Sequence, residues 1–388
     1  VKKALLRWGL IVFLVLALNV SAGAQAPNPE TASEVKTERK PEAKPAAVLE
    51  EVKKFLGLSI YLQGGYTFNF RDPDSGTNRE RIFDQKANSF LLDLAQVQFL
   101  KDPPVGGVGY KLKLSAGETA KYIHSAGLGN TDDEFDLTEA YVDYVAPLGN
   151  GLKLRFGKFV TYHSAEVIEA RDNFNYSRSF LFNFAVPFTH TGFMAGYKFS
   201  DAFTANLYLV NGWDVTDDNN KGKTLGMGFV LTPIDPVQLN FNLMVGAEQP
   251  DNSTHYRFLF DWMGAFKITK KLTLMANVDY AHEDNDPLNG GGDSQWYGAA
   301  LYAKCEFIDF FAAAIRAEYF NDRDGVRTGI RQELKEITLT ADFNVAKNLL
   351  VRPEYRHDWS DQKAFDAKRA VLDKKSQDTI ALGVMVTW

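Results

Sequence analysis

The densest run of chemically able side chains lies between His163 and Thr189. There Glu166, Glu169 and Asp172 are interleaved with Arg171 and Arg178, among Phe174, Tyr176, Phe180, Phe182, Phe184 and Phe188. Such a mixture could serve catalysis, bind a metal or line a polar path. Two serine–histidine neighbourhoods, His163 with Ser164 and Ser179 with His190, bring no nucleophile motif and no orienting third group, so no catalytic residue is assigned. Asp284-Asn285-Asp286 with Asn289 and Gly290 offers calcium-like oxygens without the spaced terminal glutamate of a calcium loop. It reads as a solvated acidic loop, and no metal or other cofactor is expected. The charges of 163–189 then either face a polar path or pair with one another to hold the segment down.

A run of this kind needs walls. Loops beyond about 15 residues are usually functional or disordered, and six aromatic rings in one loop need something to pack against. The rest of the chain supplies it as strands. From Leu58 onward hydrophobicity alternates with period two, which sends successive side chains to opposite faces of a sheet. In Leu349 to Asp358, Leu349, Val351, Pro353 and Tyr355 alternate with Leu350, Arg352, Glu354, Arg356 and Asp358. In the last stretch Ile380, Leu382, Val384, Val386 and Trp388 share one face, and Thr379, Ala381, Gly383, Met385 and Thr387 the other.

Alternation alone fits a soluble sandwich as well as a barrel; length and connections separate them. About sixteen segments of about ten residues, the length of a tilted membrane strand, run from 58–70 to 378–388. Short connections at 147–151, 200–202, 233–236, 269–271 and 346–348 alternate with long ones at 71–88, 120–134, 163–189, 214–222, 283–293, 322–334 and 359–377. The expectation is an all-β transmembrane antiparallel barrel with short periplasmic turns and long extracellular loops, the last strand closing onto the first. Phe68, Phe70, Tyr110, Tyr162, Phe199, Phe203, Trp213, Tyr280, Phe307 and Trp388 stand near strand ends, where rings suit the lipid–water interface. Lys158 breaks the parity of Leu154 and Phe156, which predicts a bulge near Gly157.

The ends agree with export. Residues 1–26 carry Lys2, Lys3 and Arg7, an apolar run and small residues, the order of a signal peptide. Its removal takes three positive charges and moves the formal charge from −6 to −9, so no nucleic-acid partner is indicated. Residues 27–57 read as a disordered, charged periplasmic tether with a short helix near its end, and 58–388 as the barrel. Cys305 is the single cysteine, so no intrachain disulfide can form.

RFGKF (Arg155 to Phe159), Glu166, NFNYSRSFLF (Asn173 to Phe182), PFTHTG (Pro187 to Gly192) and NGWD (Asn211 to Asp214) resemble the outer-membrane beta-barrel porin family of Gram-negative bacteria, whose members are mostly uncharacterised. The resemblance implies a barrel surrounded by outer-membrane lipid, a water-filled channel for passive diffusion of small hydrophilic solutes or ions, a homotrimer, and a third loop folded into the lumen. Glu166, Glu169, Arg171, Asp172 and Arg178 would then form the constriction. The acids would face a basic wall of Lys111, Lys113, Lys153, Arg155, Arg257, Arg316, Arg352 and Arg356, and the field between them would select solutes. Trp296 and Tyr302 share parity with Lys304 and could stack sugars in a sugar-selective channel. The net charge leans towards cations. The rival reading is a plugged barrel with a structural, receptor or adhesin role.

Overall fold

The computed structural model describes residues 51, 53–130, 132–368 and 371–388. The expected signal peptide and the tether up to residue 50 lie outside the described residues; residues 53–56 are helical and lead into the first strand. The strands are β1 (Leu58–Asn69), β2 (Phe90–Lys101), β3 (Val108–Ala116), β4 (Phe135–Ala146), β5 (Leu152–Val160), β6 (Thr189–Ser200), β7 (Phe203–Val210), β8 (Thr224–Ile234) and β9 (Val237–Ala247). They continue with β10 (Tyr256–Lys267), β11 (Leu272–Asp286), β12 (Gly292–Ile308), β13 (Phe311–Asp322), β14 (Gln332–Ala346), β15 (Leu349–Ser360), β16 (Phe365–Asp366), β17 (Leu372–Lys374) and β18 (Ser376–Thr387). Each strand from β1 to β14 pairs with the next, β15 pairs with β18, and β18 returns to β1, closing a sixteen-strand antiparallel barrel. The pair β16–β17 is a small hairpin inside the last long loop.

The two faces are inverted relative to a soluble sheet. Neighbours Arg155 and Phe156 are 9% and 71% exposed, so the charge points in and the ring out. In β18 Ile380, Leu382 and Val384 are exposed while Thr379, Ala381 and Met385 are buried. In β15 Tyr355 faces out, and Arg352, Glu354, Arg356 and Asp358 are buried inside. An outward arginine at mid-membrane would cost about 2 to 4 kcal/mol, which explains why the period-two pattern keeps these charges on one parity. Closure is continuous from Tyr61↔Thr387 to Asn69↔Thr379, leaving no open edge in lipid.

Aromatic rings gather on the short-turn rim. Phe199–Phe203, Phe203–Phe229, Phe307–Phe311 and Phe311–Phe343 lie 5.2, 6.2, 5.4 and 5.4 Å apart. Two of the expected interface rings turn inward instead: Tyr162 stacks on Tyr208 and Trp213 packs edge-on to Trp296. The Lys158 parity break is present but made differently from the expected bulge. Pairing of β5 runs unbroken past Gly157, whose φ of 136° twists the strand, and the register shift lies on the partner strand between Leu137 and Glu139. The buried Lys158 ammonium then donates to the Leu137 carbonyl (2.8 Å) beside Asp136 (3.4 Å).

Candidate functional site

Loop 3, residues 161–188 between β5 and β6, is buried against the inner face of the barrel. It has little regular structure, a 3-10 turn at Ala170–Asp172 and one π-helical turn at Leu181–Ala185, so most of its backbone polar groups need partners from elsewhere. The wall supplies them with charged side chains. Glu354 accepts the N–H groups of Tyr176 and Ser177 (2.6 and 2.9 Å), and Glu318 those of Phe180 and Leu181 (2.6 and 2.7 Å). Arg316 donates to the Ser177 carbonyl (2.8 Å), Arg352 to those of Ala170 and Asn175 (2.6 and 3.0 Å), and Arg356 to that of Arg178 (2.6 Å).

Three residues of the expected basic wall make these contacts. Arg316, Arg352 and Arg356 are fully buried and clamp the loop's backbone. Arg316 also binds Glu336 (2.6 Å) and Glu166 (2.8 Å), while Glu166 accepts the Ser179 N–H (2.7 Å). Arg352 is bidentate on Asp342, and Arg356 binds Asp358. Arg178, expected in the constriction, is buried, and its donors go to the carbonyls of Val167, Ile168 and Tyr176. The loop acid Glu166 is thus paired by Arg316 from the wall, whereas the loop's own Arg178 bonds loop carbonyls.

The remaining wall bases lie apart from these clamps. Lys111 and Lys113 share Glu139 (2.6 and 3.1 Å), and Lys113 also reaches Glu169 (2.9 Å). Arg155 is bidentate on Asp143 and lies 3.6 Å over the Tyr141 ring, with Lys153 at 3.4 Å from the same carboxylate. Arg257 binds Glu283 (2.8 Å) and stacks over Trp213 (4.9 Å). Trp296 and Tyr302 are lumenal by parity but fully covered. Trp296 donates to the Ala185 carbonyl (3.2 Å) and Tyr302 packs edge-on to Phe174.

Tyr176 marks where the loop meets the barrel's seam. Gly65 of β1 and Gly383 of β18 are direct partners, and the ring lies between them with its hydroxyl donating to Asp93 (2.6 Å). A Cβ on Gly65 would fall 2.0 Å from the hydroxyl, and one on Gly383 2.5 Å from the ring. Only glycine leaves this notch. Further along, Arg171 reaches the carbonyls of Lys347 and Asn348 at 3.5 Å, so the loop extends to the short-turn rim.

Between loop 3 and the strands β1, β2, β3 and β18 a cavity of about 410 Å³ remains. Its wall side carries Gln96, Gln98, Lys111 and Lys113; its loop side carries Glu169, Arg171 and Asp172. Burial alone would raise the Glu169 carboxyl, but the Lys113 charge and hydrogen bond outweigh it and hold the group down at about 2. A depressed carboxyl contributes stability above its ordinary value that is lost only as pH falls through the folded one. The Lys113 contact is therefore expected to persist at pH 4, and conductance recorded from pH 7 to pH 4 should show no step that Glu169→Gln abolishes.

The hydrolase neighbourhoods are not assembled among the described residues. His163 partners Tyr208 (2.8 Å) and His190 partners Thr161 (3.1 Å), while Ser164 turns to Asn277. On the acidic loop, His282, Asp284 and Asp293 bring ligand atoms within 4.8 Å of one another, with His282 hydrogen-bonded to Asp284. What sequence reading missed is loop 1, residues 70–89, which also enters the lumen. Arg81 and Phe83 are buried there, and the apolar pair Ile82-Phe83 in an otherwise polar loop was the available signal.

A closed sixteen-strand barrel with a lipid-type exterior, a charged interior and an inward-folded loop defines the outer-membrane porins. Residues 56–388 match the family described as "Putative beta-barrel porin-2, OmpL-like", and the chain belongs to it. That places it in the Gram-negative outer membrane as a channel protein. No curated protein sequence matches the chain. Solved structures with the same fold include the anion-selective porin from Comamonas acidovorans, at 12% identity and TM-score 0.58 over 85% of this chain and 98% of that one. Pseudomonas putida OprB aligns at 12% and 0.59, over 88% and 96%. The outer membrane channel DcaP of Acinetobacter baumannii aligns at 10% and 0.55, over 85% and 96%.

Proposed function

We propose that small hydrophilic solutes or ions diffuse through the slot between loop 3 and the inner face of β1, β2, β3 and β18, and not through the barrel's centre. The observation that carries this reading is the charge-bearing cavity there, with Lys111 and Lys113 on one side and Glu169, Arg171 and Asp172 on the other. The centre is filled by loop 3, whose Phe180, Leu181, Phe182 and Phe184 are buried. Transport on this reading is passive and performs no reaction, so the channel needs no cofactor. Opposed charges across the slot set which solutes pass.

Single-channel recording in planar bilayers under a salt gradient tests it. Asp172 is exposed on the loop side of the slot, so Asp172→Asn is expected to move the reversal potential towards anion preference without changing the fold. An unchanged reversal potential would place the path elsewhere. The burial of Phe180 to Phe188 favours a second reading, a sealed barrel with a structural or receptor role. Electrical silence from a demonstrably folded barrel would support that one.

A further inference from the structure

The slot ends outward on a cluster of three phenylalanines. Phe182 and Phe188 belong to loop 3 and line the cavity. The third, Phe83, comes from loop 1 and packs over both of them. The ring centroids lie 5.5 Å apart for Phe83 and Phe182, 5.4 Å for Phe83 and Phe188, and 5.3 Å for Phe182 and Phe188. All three rings are buried. The Arg178 guanidinium lies 4.7 Å from the Phe83 ring centre.

Loop 1 is fixed there by charge. Arg81, 3% exposed, donates to Asp358 (3.1 and 2.5 Å), to Asp84 (2.7 Å) and to Thr379 (3.0 Å). Three of its non-glycine residues, Asp72, Glu80 and Asn88, hold left-handed φ angles of 48°, 58° and 57°. Such conformations persist only where surrounding contacts impose them. The connection between β3 and β4 leans on the same segment through Tyr122, whose hydroxyl donates to Gln85 (2.9 Å).

We infer that Phe83 is the residue that sets the channel's size limit, a stopper carried by loop 1 and latched by Arg81. This rests on the diffusion reading above. Three apolar rings in mutual contact narrow the wetted path beside them, and an apolar constriction raises the barrier to ions by favouring dewetting. Three of Arg178's donor groups are committed to loop carbonyls, and Phe83 packs over its guanidinium. Withdrawing Phe83 therefore does two things at one point. It opens the apolar contact, and it uncovers a positive surface beside the path.

The test compares wild type, Phe83→Ala and Arg81→Gln in planar bilayers and in liposome swelling with sugars of graded size, each shown folded by its heat-modifiable mobility. Both variants are expected to raise conductance several-fold and to admit sugars that wild type excludes. Phe83→Ala should also shift the reversal potential towards anions. Arg81→Gln keeps all three rings, so it tests the latch even where Phe83→Ala fails to fold. Folded variants with wild-type conductance and size limit would overturn the assignment and leave the diffusion reading standing. Silence from wild type and both folded variants would instead overturn the diffusion reading, and the assignment with it.

Discussion

Arg316→Met is expected to lower the barrel's thermal stability and raise its conductance together. Arg316 is fully buried between Glu336, Glu166 and the Ser177 carbonyl. Methionine keeps much of the volume but leaves the buried Glu166 without its cation and Glu336 with Arg356 alone, at 3.8 Å. Breaking one partner out of a buried charged cluster costs about 3 to 5 kcal/mol. The cheapest relief is for loop 3 to lift and let water reach the acids. Folded barrel should thus convert to the slower-migrating unfolded band at lower temperature, and single-channel steps should grow larger and noisier. Unchanged melting together with unchanged steps would mean that Arg316 does not clamp the loop.

Excising residues 170–186 and bridging the gap with a short flexible linker should have the larger effect on conductance and the smaller one on folding. Arg316, Arg352, Arg356, Glu318 and Glu354 bind the loop's backbone. With the loop gone, water floods the lumen and solvates these charges, whereas Arg316→Met strands Glu166 in a packed interior. Conductance should rise several-fold towards that of an unobstructed barrel, with the heat-modifiable band retained. The same small conductance after excision would show that loop 3 does not set the width of the path.

The barrel was legible because one rule governs every strand. The charged parity of Arg352 to Asp358 and the apolar parity of Ile380 to Val384 state the inside and the outside directly, and lipid admits no exception that a turn could hide. The loops obey no such rule. Trp296 and Tyr302 are lumenal by parity, yet parity cannot say which part of the lumen a loop covers. Arg178 among three acids looks like an ion-pair partner, and only the folded backbone shows that carbonyls take its protons. Lys158 signalled an irregularity correctly, but the strand that absorbs it is the neighbour, which one strand's sequence cannot specify. Phe83 was missed because a single ring in a polar loop is an ordinary sight until a second loop is found beneath it.

The glycine notch at Gly65 and Gly383 bears on the order of events during assembly. Its two sides come from the first and last strands of the barrel, so the notch does not exist until the chain's far ends have met. Tyr176 has no seat before that moment. Docking of loop 3 is thereby tied in time to sealing of the wall, and a barrel still open at its seam presents the loop to proteases that the finished one excludes.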